Sequence, residues 1–177
     1  VGSEMCIRDR GKVFAPRDAL EGEPVIFGYV REEVEEVEVL EEGKRYTIKN
    51  IEFDTPVRHV HGVETYGLNL YGDGVTISLI SDTRYFEGIE RHYRGDILIL
   101  NVVRMEPRED ILHLSLRDAE RIIETNRPKL AILTHFGMGM LRAKPWKLAE
   151  EMSKRLNLNV IAANDGMMVD VEKYKTK

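Results

Sequence analysis

The sequence predicts a single α/β domain, an α+β sandwich in which strands and helices alternate through the second half. Two continuous apolar segments, DILIL at 96–100 and LAILT at 130–134, are typical of buried strands. An amphipathic helix follows each of them, the first in LSLRDAERIIETN and the second over Pro145–Leu156. With 177 residues, of which 42% are hydrophobic, the chain can form one core but not a second full domain.

The apolar residues follow a less regular spacing in the first third of the chain. Residues 14–30 mix Pro and Gly with short apolar groups, which favours a loop or a short helix leading into an edge element. The glutamate-rich segment 32–42 keeps valines on one side, so we interpret it as a solvated face. Its last part, VEVL followed by YTI, predicts a hairpin with Gly43 in the turn, and a further strand is predicted from Ile51 to Val57.

Three further patterns define the middle and the end of the chain. YGLNLY and VTISLIS flank a GDG turn at 72–74 and predict a hairpin. Ser115, with Asp118 three residues later, approximates a capping box that begins a helix, and Pro128 ends it. NVIAA and MMVDV around the NDG sequence at 164–166 predict a closing hairpin.

Composition excludes several classes of protein. The net charge of -5 gives no overall attraction for nucleic acid, although a local basic groove is compatible with it. No apolar run approaches the roughly 20 residues that cross a membrane, and no signal-peptide layout is present, so we expect a cytoplasmic protein without a membrane partner. The single cysteine, Cys6, excludes an intramolecular disulfide and a cysteine-based zinc cluster. The sequence does not indicate an oligomeric state.

Three polar residues follow apolar runs at the ends of predicted strands. His61 lies in VRHVHGVETYGL, Asp82 follows VTISLIS, and His135 follows LAILT. Loops at strand ends can present side chains to a substrate without disturbing the sheet. Imidazole and carboxylate groups are metal ligands, so the three residues form a candidate metal site. Plainer interpretations are a satisfied loop histidine, a turn or helix-cap aspartate, and a packed histidine.

In this order, the motifs resemble those of metallo-β-lactamase fold hydrolases, especially the ribonuclease Z and phosphodiesterase branch. His61, with a glycine six residues later, is similar to the third ligand motif of that family. Asp82 in SDTR is similar to the fourth, and His135 in LTH to the fifth. His113 in HLSLRDA is similar to the histidine that precedes a helix and donates a proton in the ribonuclease Z type. The resemblance covers residues 14–171 and includes the closing AANDGMMVDV segment.

The resemblance implies the C-terminal part of an αββα fold, with a mixed sheet and flanking helices. It implies a hydrolase in which two zinc ions activate water, with manganese or iron as alternatives. His61, Asp82 and His135 would be metal ligands, with Asp82 bridging the two ions. His113 would be the catalytic residue that protonates the leaving oxygen. The implied substrate is a small molecule or a phosphoester, and the charge gives no indication of a nucleic acid.

The chain departs from the family pattern in two places. It lacks a His-x-His-x-Asp-His motif, because His59 and His61 are not followed by Asp and His. Where the ribonuclease Z type has Glu-Ala-Thr, this chain has Asn101-Val102-Val103 and lacks the glutamate that orients the catalytic histidine. We therefore expect residues 11–177 to be a partial domain without its N-terminal half, inactive alone. Residues 1–10 resemble a translated sequencing adapter and are expected to be a non-native leader.

Substrate contacts are indicated by short basic and glycine-rich features near the same strand ends. Arg84 and Arg142 would attract a phosphate group, and Gly137 and Gly139 would let backbone amides approach an anion. Flexible turns also explain the two glycines.

A function of another class fits the same residues. Asp82 could be an anion-sensing or phospho-acceptor carboxylate in a non-enzymatic doubly wound signalling domain, because such domains also place an aspartate at a strand end. His113 could be a surface residue beside a helix cap. We expect His59 to be structural or solvent-facing and His92 to be exposed.

Overall fold

The computed structural model describes residues 11–22 and 24–175, so the predicted leader and Cys6 lie outside the described residues. The strands are β1 (Lys12–Ala15), β2 (Glu36–Val39), β3 (Arg45–Ile48), β4 (Ile51–Asp54), β5 (Leu68–Gly72), β6 (Val75–Ile80), β7 (Ile97–Arg104), β8 (Leu114–Ser115), β9 (Leu130–Thr134) and β10 (Val160–Ala162). The helices are α1 (Gly28–Glu33), α2 (Leu116–Asn126), α3 (Met138–Arg142) and α4 (Pro145–Leu156). Short 3-10 helices cover Arg17–Ala19, Ile89–Arg91 and Val171–Tyr174.

One mixed sheet carries most of the strands, in the order β10-β9-β7-β6-β5-β4-β3, and β8 pairs with β7. The pairs from β6 through β7 and β9 to β10 are parallel, whereas the pairs from β3 to β6 are antiparallel. Strands β1 and β2 form a separate parallel pair. Because β6, β7 and β9 run in the same direction, their carboxyl ends meet at one edge of the sheet. The segments that follow them are therefore brought together.

Both faces of the central strands are covered by apolar side chains, which explains why these strands are continuous apolar runs. On one face, Leu100 of β7, Ile122 of α2 and Met152 of α4 belong to one buried cluster. On the other face, Ile97 of β7 belongs to a smaller cluster, against which Val171 near the C-terminus packs. The mixed sheet with flanking helices agrees with the predicted fold class.

Several predicted elements are confirmed. The β5–β6 hairpin turns through Asp73 and Gly74, whose φ angles of 48° and 75° fit the left-handed conformation of a tight two-residue turn. Helix α2 begins with a complete capping box between Ser115 and Asp118, and α4 spans the predicted Pro145–Leu156. Within the described part of the chain, no helix is both long and apolar enough to cross a bilayer.

The predicted hairpin between VEVL and YTI is wrong, although both segments form strands. Strand β2 pairs with β1, and β3 pairs with β4 across a turn in which Lys49 has a φ of 55°. The Tyr46 hydroxyl joins the two segments instead, because it donates to the Val39 carbonyl and accepts from the Glu41 amide. β2 is drawn away from β3 by its pairing with β1, so the turn at Gly43 connects strands of two different sheets.

The predicted closing hairpin is also wrong. β10 is followed by a turn in which the Met167 amide donates to the Asn164 carbonyl, and the chain then enters the 3-10 helix Val171–Tyr174. Val169 and Val171 pack against the second apolar cluster instead of pairing with β10. Burial of these valines on the sheet face outweighs the local turn signal.

Candidate metal centre

The central parallel strands place three polar residues side by side. Asp82 lies two positions beyond the end of β6, Asn101 lies in β7, and His135 directly follows β9. The register pairs Ile80 with Leu100, and Asn101 with Thr134. The residues that follow these pairs consequently meet at the same edge of the sheet.

Asp82 is at the centre of the cluster. Its Oδ1 accepts a hydrogen bond from Asn101 Nδ2 at 2.9 Å and lies 3.5 Å from His113 Nδ1. Its Oδ2 lies 3.4 Å from His135 Nε2. Burial acts to raise the pKa of this carboxyl, but the Asn101 hydrogen bond and the nearby histidines outweigh burial and hold the pKa below 3.8. Asp82 is therefore an anion with one oxygen directed to each side of the site.

His61 comes from the long loop between β4 and β5. Its Nδ1 lies 3.0 Å from the Leu112 carbonyl oxygen, which can only accept a hydrogen bond, so Nδ1 carries the proton. In the neutral ring Nε2 is then the nitrogen available to a metal, in the arrangement that metal-binding histidines commonly adopt. The ligand atoms of His61, Asp82 and His113 all lie within 4.8 Å of one another.

His113 lies immediately before β8 and the capped start of α2, which fixes its backbone. Its ring centroid is 5.0 Å from that of His61 and 6.1 Å from that of His135. Among the described residues, none forms a hydrogen bond to its buried Nδ1, despite the proximity of Asp82. A buried ring nitrogen without a hydrogen bond is costly unless a cation or proton occupies that position, so this atom fits a metal or proton-transfer site.

His135 completes the cluster from the other side of Asp82. Its φ is 58°, and half of its side chain is exposed. A left-handed conformation is uncommon for residues other than glycine, although histidine adopts it more readily than most, and such conformations occur more often at functional sites. The following Gly137 packs so closely on β7 that an added Cβ would lie 2.7 Å from the Val103 carbonyl oxygen. Close packing on β7 therefore accounts for Gly137, and its approach to an anion stays a prediction.

The predicted substrate residues divide among three places. Arg84 is exposed and lines a cleft of about 390 Å³ with Tyr85, Arg108 and His113. Gly137 and Gly139 line a second cleft of about 380 Å³, together with Arg104 and Arg108. Arg142, at the end of α3, is exposed and lines neither cleft.

Sequence reasoning missed two residues next to the site. Arg108 lines both clefts, and its only signal is a place in the charged PRED loop. Asn101 was noted only as a departure from the family pattern, yet its amide contacts Asp82 rather than His113. Its position directly after an apolar strand was the available signal.

The two remaining histidines have different environments. His59 is 4% exposed, and its ring contacts Tyr93 Oη and Ser81 Oγ. Burial lowers the pKa of His59 to about 4, so its ring is neutral near pH 7. His59 is therefore structural, one of its two expected roles, and His92 is exposed as expected.

Two sequence comparisons identify relatives of the chain. A family model described as a beta-lactamase superfamily domain matches residues 4–136. An uncharacterised protein of Methanocaldococcus jannaschii is 29% identical over 184 aligned residues, which cover 96% of this chain and 66% of that protein.

Solved structures share the fold at low sequence identity. The metallo-beta-lactamase fold protein YhfI from Bacillus subtilis has a TM-score of 0.71 at 15% identity, covering 88% of this chain and 63% of that one. A diphosphatase from the PhnP family has a TM-score of 0.65 at 20% identity, covering 90% and 58%. The short form of human tRNase Z has a TM-score of 0.62 at 14% identity, covering 92% and 68%. The chain spans less than two thirds of the M. jannaschii protein and of YhfI.

Proposed function

Because the chain belongs to the beta-lactamase superfamily, we propose that the protein is a metal-dependent hydrolase that cleaves a phosphoester at a dinuclear zinc site. The observation that carries this proposal is the position of Asp82, whose two oxygens face different histidines. Two of the solved structures with this fold are named as a diphosphatase and a tRNase Z, which supports a phosphate-containing substrate. The superfamily and these structural neighbours are hydrolases.

The side chains present fit such a site. Three imidazoles and one carboxylate, without a thiolate, suit zinc and also match the preferences of manganese and iron. We assign His61, Asp82 and His135 as ligands, with Asp82 between the two ions. When bound, the metals would lower the pKa of water and polarise the phosphoryl group.

His113 is assigned as the proton donor to the leaving group. Its ring centroid lies 5.0 Å from that of His61 and 6.1 Å from that of His135, and it lines the cleft that also contains Arg84 and Arg108. An imidazole can donate a proton to a leaving oxygen, and the two arginines can orient a phosphate group. His113 Nδ1 lies 3.5 Å from Asp82 Oδ1, close enough for both atoms to bind one metal, so the role of His113 as donor or ligand is tested below.

Within residues 11–22 and 24–175, the cluster around Asp82 has too few ligands for two metals. Each zinc ion commonly takes about four ligands, and the cluster offers three imidazoles and one carboxylate. We propose that further ligands come from sequence beyond residues 11–177. For this chain alone we expect weak zinc binding and little turnover.

Zinc content after dialysis tests the ligand assignment. The chain should retain fewer than two zinc ions, and Asp82→Ala should retain less than the unmodified chain. Asp110→Ala is the matched control, because it removes an exposed carboxylate that pairs with Arg108. Two firmly bound zinc ions that persist in Asp82→Ala would contradict the site.

A chromogenic phosphodiester tests the role of His113 in a protein that carries the complete domain. His113→Ala should keep its zinc and lose about 100-fold or more in kcat. Loss of zinc in this variant would instead make His113 a ligand.

The alternative of a doubly wound signalling domain does not fit the antiparallel strands β3 to β5 or the three histidines around Asp82.

A further inference from the structure

The segment before His61 is fixed to the segment around Asp82 by two backbone contacts. The Val60 amide donates to Thr83 Oγ1 at 3.0 Å. The Arg84 amide donates to the Val60 carbonyl at 2.9 Å. Both polar backbone groups of Val60, the residue before His61, are therefore bound by the residues that follow Asp82.

A second set of contacts lies on the other side of Asp82. Ser81 Oγ donates to the Tyr66 carbonyl at 2.7 Å, so its single proton is already used. His59 Nδ1, 3.2 Å from Ser81 Oγ, must then be the donor in that contact. His59 Nε2 accepts from the Tyr93 hydroxyl at 2.8 Å. One neutral tautomer of His59 satisfies both contacts.

These contacts are shielded from water. Thr83 and Tyr93 are fully buried, and His59 is almost so. A buried hydrogen-bonding group that loses its partner has no water to replace it. The contacts should therefore hold one arrangement of the loop.

We propose that His59, Ser81 and Thr83 are positioning residues that set His61 against Asp82. This inference rests on the proposed function only in assigning His61 and Asp82 to a metal. Asp82 lies between Ser81 and Thr83, so the residues that flank one ligand bind the residues that precede the other. His61 itself lies outside the strands, in the loop between β4 and β5, where an isolated antiparallel bridge pairs Arg58 with Tyr66 but does not reach the residues around Asp82.

Thr83→Val tests the proposal, because valine keeps the shape of threonine and removes the hydroxyl that accepts from Val60. Nuclear Overhauser contacts between the His61 and His113 rings, whose centroids are 5.0 Å apart, should weaken in this variant. Zinc affinity, measured by calorimetric titration of the chain with Zn²⁺, should fall about tenfold. Thr83→Ser restores the hydroxyl and should keep both properties within about twofold of the unmodified chain.

Thr55→Val is the matched control. Thr55 is also fully buried, and its hydroxyl donates to the Glu41 carbonyl, outside the cluster. This variant should lose stability without changing the ring contacts or the zinc affinity. Equal loss of zinc affinity in Thr55→Val and Thr83→Val would overturn the proposal, since a general loss of stability would explain both.

The outcomes separate the positioning role from the proposed function. Unchanged ring contacts in folded Thr83→Val overturn the positioning role, whatever the metal result. If the ring contacts weaken but the zinc affinity stays unchanged, Thr83 positions His61 without any effect on metal binding, and that part of the proposal is overturned. If the unmodified chain and Asp82→Ala bind zinc equally, the metal assignment fails, while the ring contacts still decide whether Thr83 positions His61. Should Thr83→Val not fold, Ser81→Ala provides the same comparison from the other side of Asp82.

Discussion

Asp82 and His135 follow strands of the central sheet, whereas His61 lies in a loop between two antiparallel strands. The first two are placed by parallel pairing of β6, β7 and β9, whose side chains fill the apolar core. The loop that carries His61 has a different support. Its contacts with residues 81–84 are hydrogen bonds through His59 and Val60.

Because the strand ends are held by apolar packing and the loop by hydrogen bonds, the two regions should respond differently to mutation. A strand end is held by many apolar contacts, so its position changes only when the core itself is damaged. A loop held by a few buried hydrogen bonds can shift after the loss of one of them. We therefore expect core substitutions to cost global stability, and loop substitutions to affect His61 at a smaller cost.

Leu133→Ala should have the largest effect on stability. Leu133 is fully buried in β9, two residues before His135. Removing most of a buried leucine side chain costs about 2–5 kcal/mol, because the cavity that remains closes only in part. Urea denaturation followed by circular dichroism measures this loss in the free energy of unfolding. Leu141→Ala, at a 47% exposed position, should change it by less than about 0.5 kcal/mol.

Gly67→Ala should damage the loop region directly. An added Cβ would overlap the Leu79 carbonyl oxygen and the Tyr93 hydroxyl, which contacts His59. A clash with backbone in a packed site costs about 1–3 kcal/mol. Denaturation should show this loss.

Gly62→Ala is the control within the same loop, since an added Cβ there meets nothing within 4 Å. It should leave the free energy of unfolding nearly unchanged. Equal losses in the two variants would show that the loop is sensitive to any added side chain rather than to the Tyr93 contact.

The elements that the sequence predicted well are those determined by nearby residues. The capping box of α2 needs only Ser115 and Asp118, and the β5–β6 turn needs only residues 72–74. The two incorrect hairpins depended on long-range competition. β2 pairs with β1 instead of β3, and the segment after residue 164 packs on the sheet face instead of pairing with β10. Local turn signals cannot report such distant alternatives.

The candidate site shows the same division. The apolar-run pattern selected His61, Asp82 and His135, although His61 lies in a loop and not at a strand end, while the selection of His113 depended on the family resemblance. The contacts of His59 with Tyr93 span 34 residues, and those with Ser81 span 22. No spacing rule links such residues, so the support of the loop could not be predicted from the sequence.

Asn101→Ala tests the sheet side of the comparison. The Asn101 amide orients Asp82 through a single 2.9 Å hydrogen bond. Loss of a group that orients a metal ligand typically weakens metal binding, and we expect about a tenfold rise in the Kd for Zn²⁺. Calorimetric titration measures it, with Asn159→Ala as an exposed control that contacts Tyr174. An unchanged Kd would mean that the strand end holds Asp82 without this bond.

Acid should lower the free energy of unfolding through protonation of His59 in the loop that carries His61. This is the smallest of the four effects predicted in this comparison. Burial lowers the pKa of His59 from 6.5 to about 4, and the groups facing its ring are the neutral Tyr93 and Ser81, with the Asp82 carboxylate and the His61 ring nearby. Between these two pKa values the unfolded chain binds the proton and the folded chain does not, so stability is present above pH 6.5 and decreases as the pH falls. This group alone should lower the free energy of unfolding of the metal-free chain by about 1 kcal/mol from about pH 6.5 to about pH 5.5. His59→Gln removes the titrating group, so its urea midpoints at the two pH values should differ less. Equal differences in the two proteins would show that His59 does not remain neutral in the folded loop.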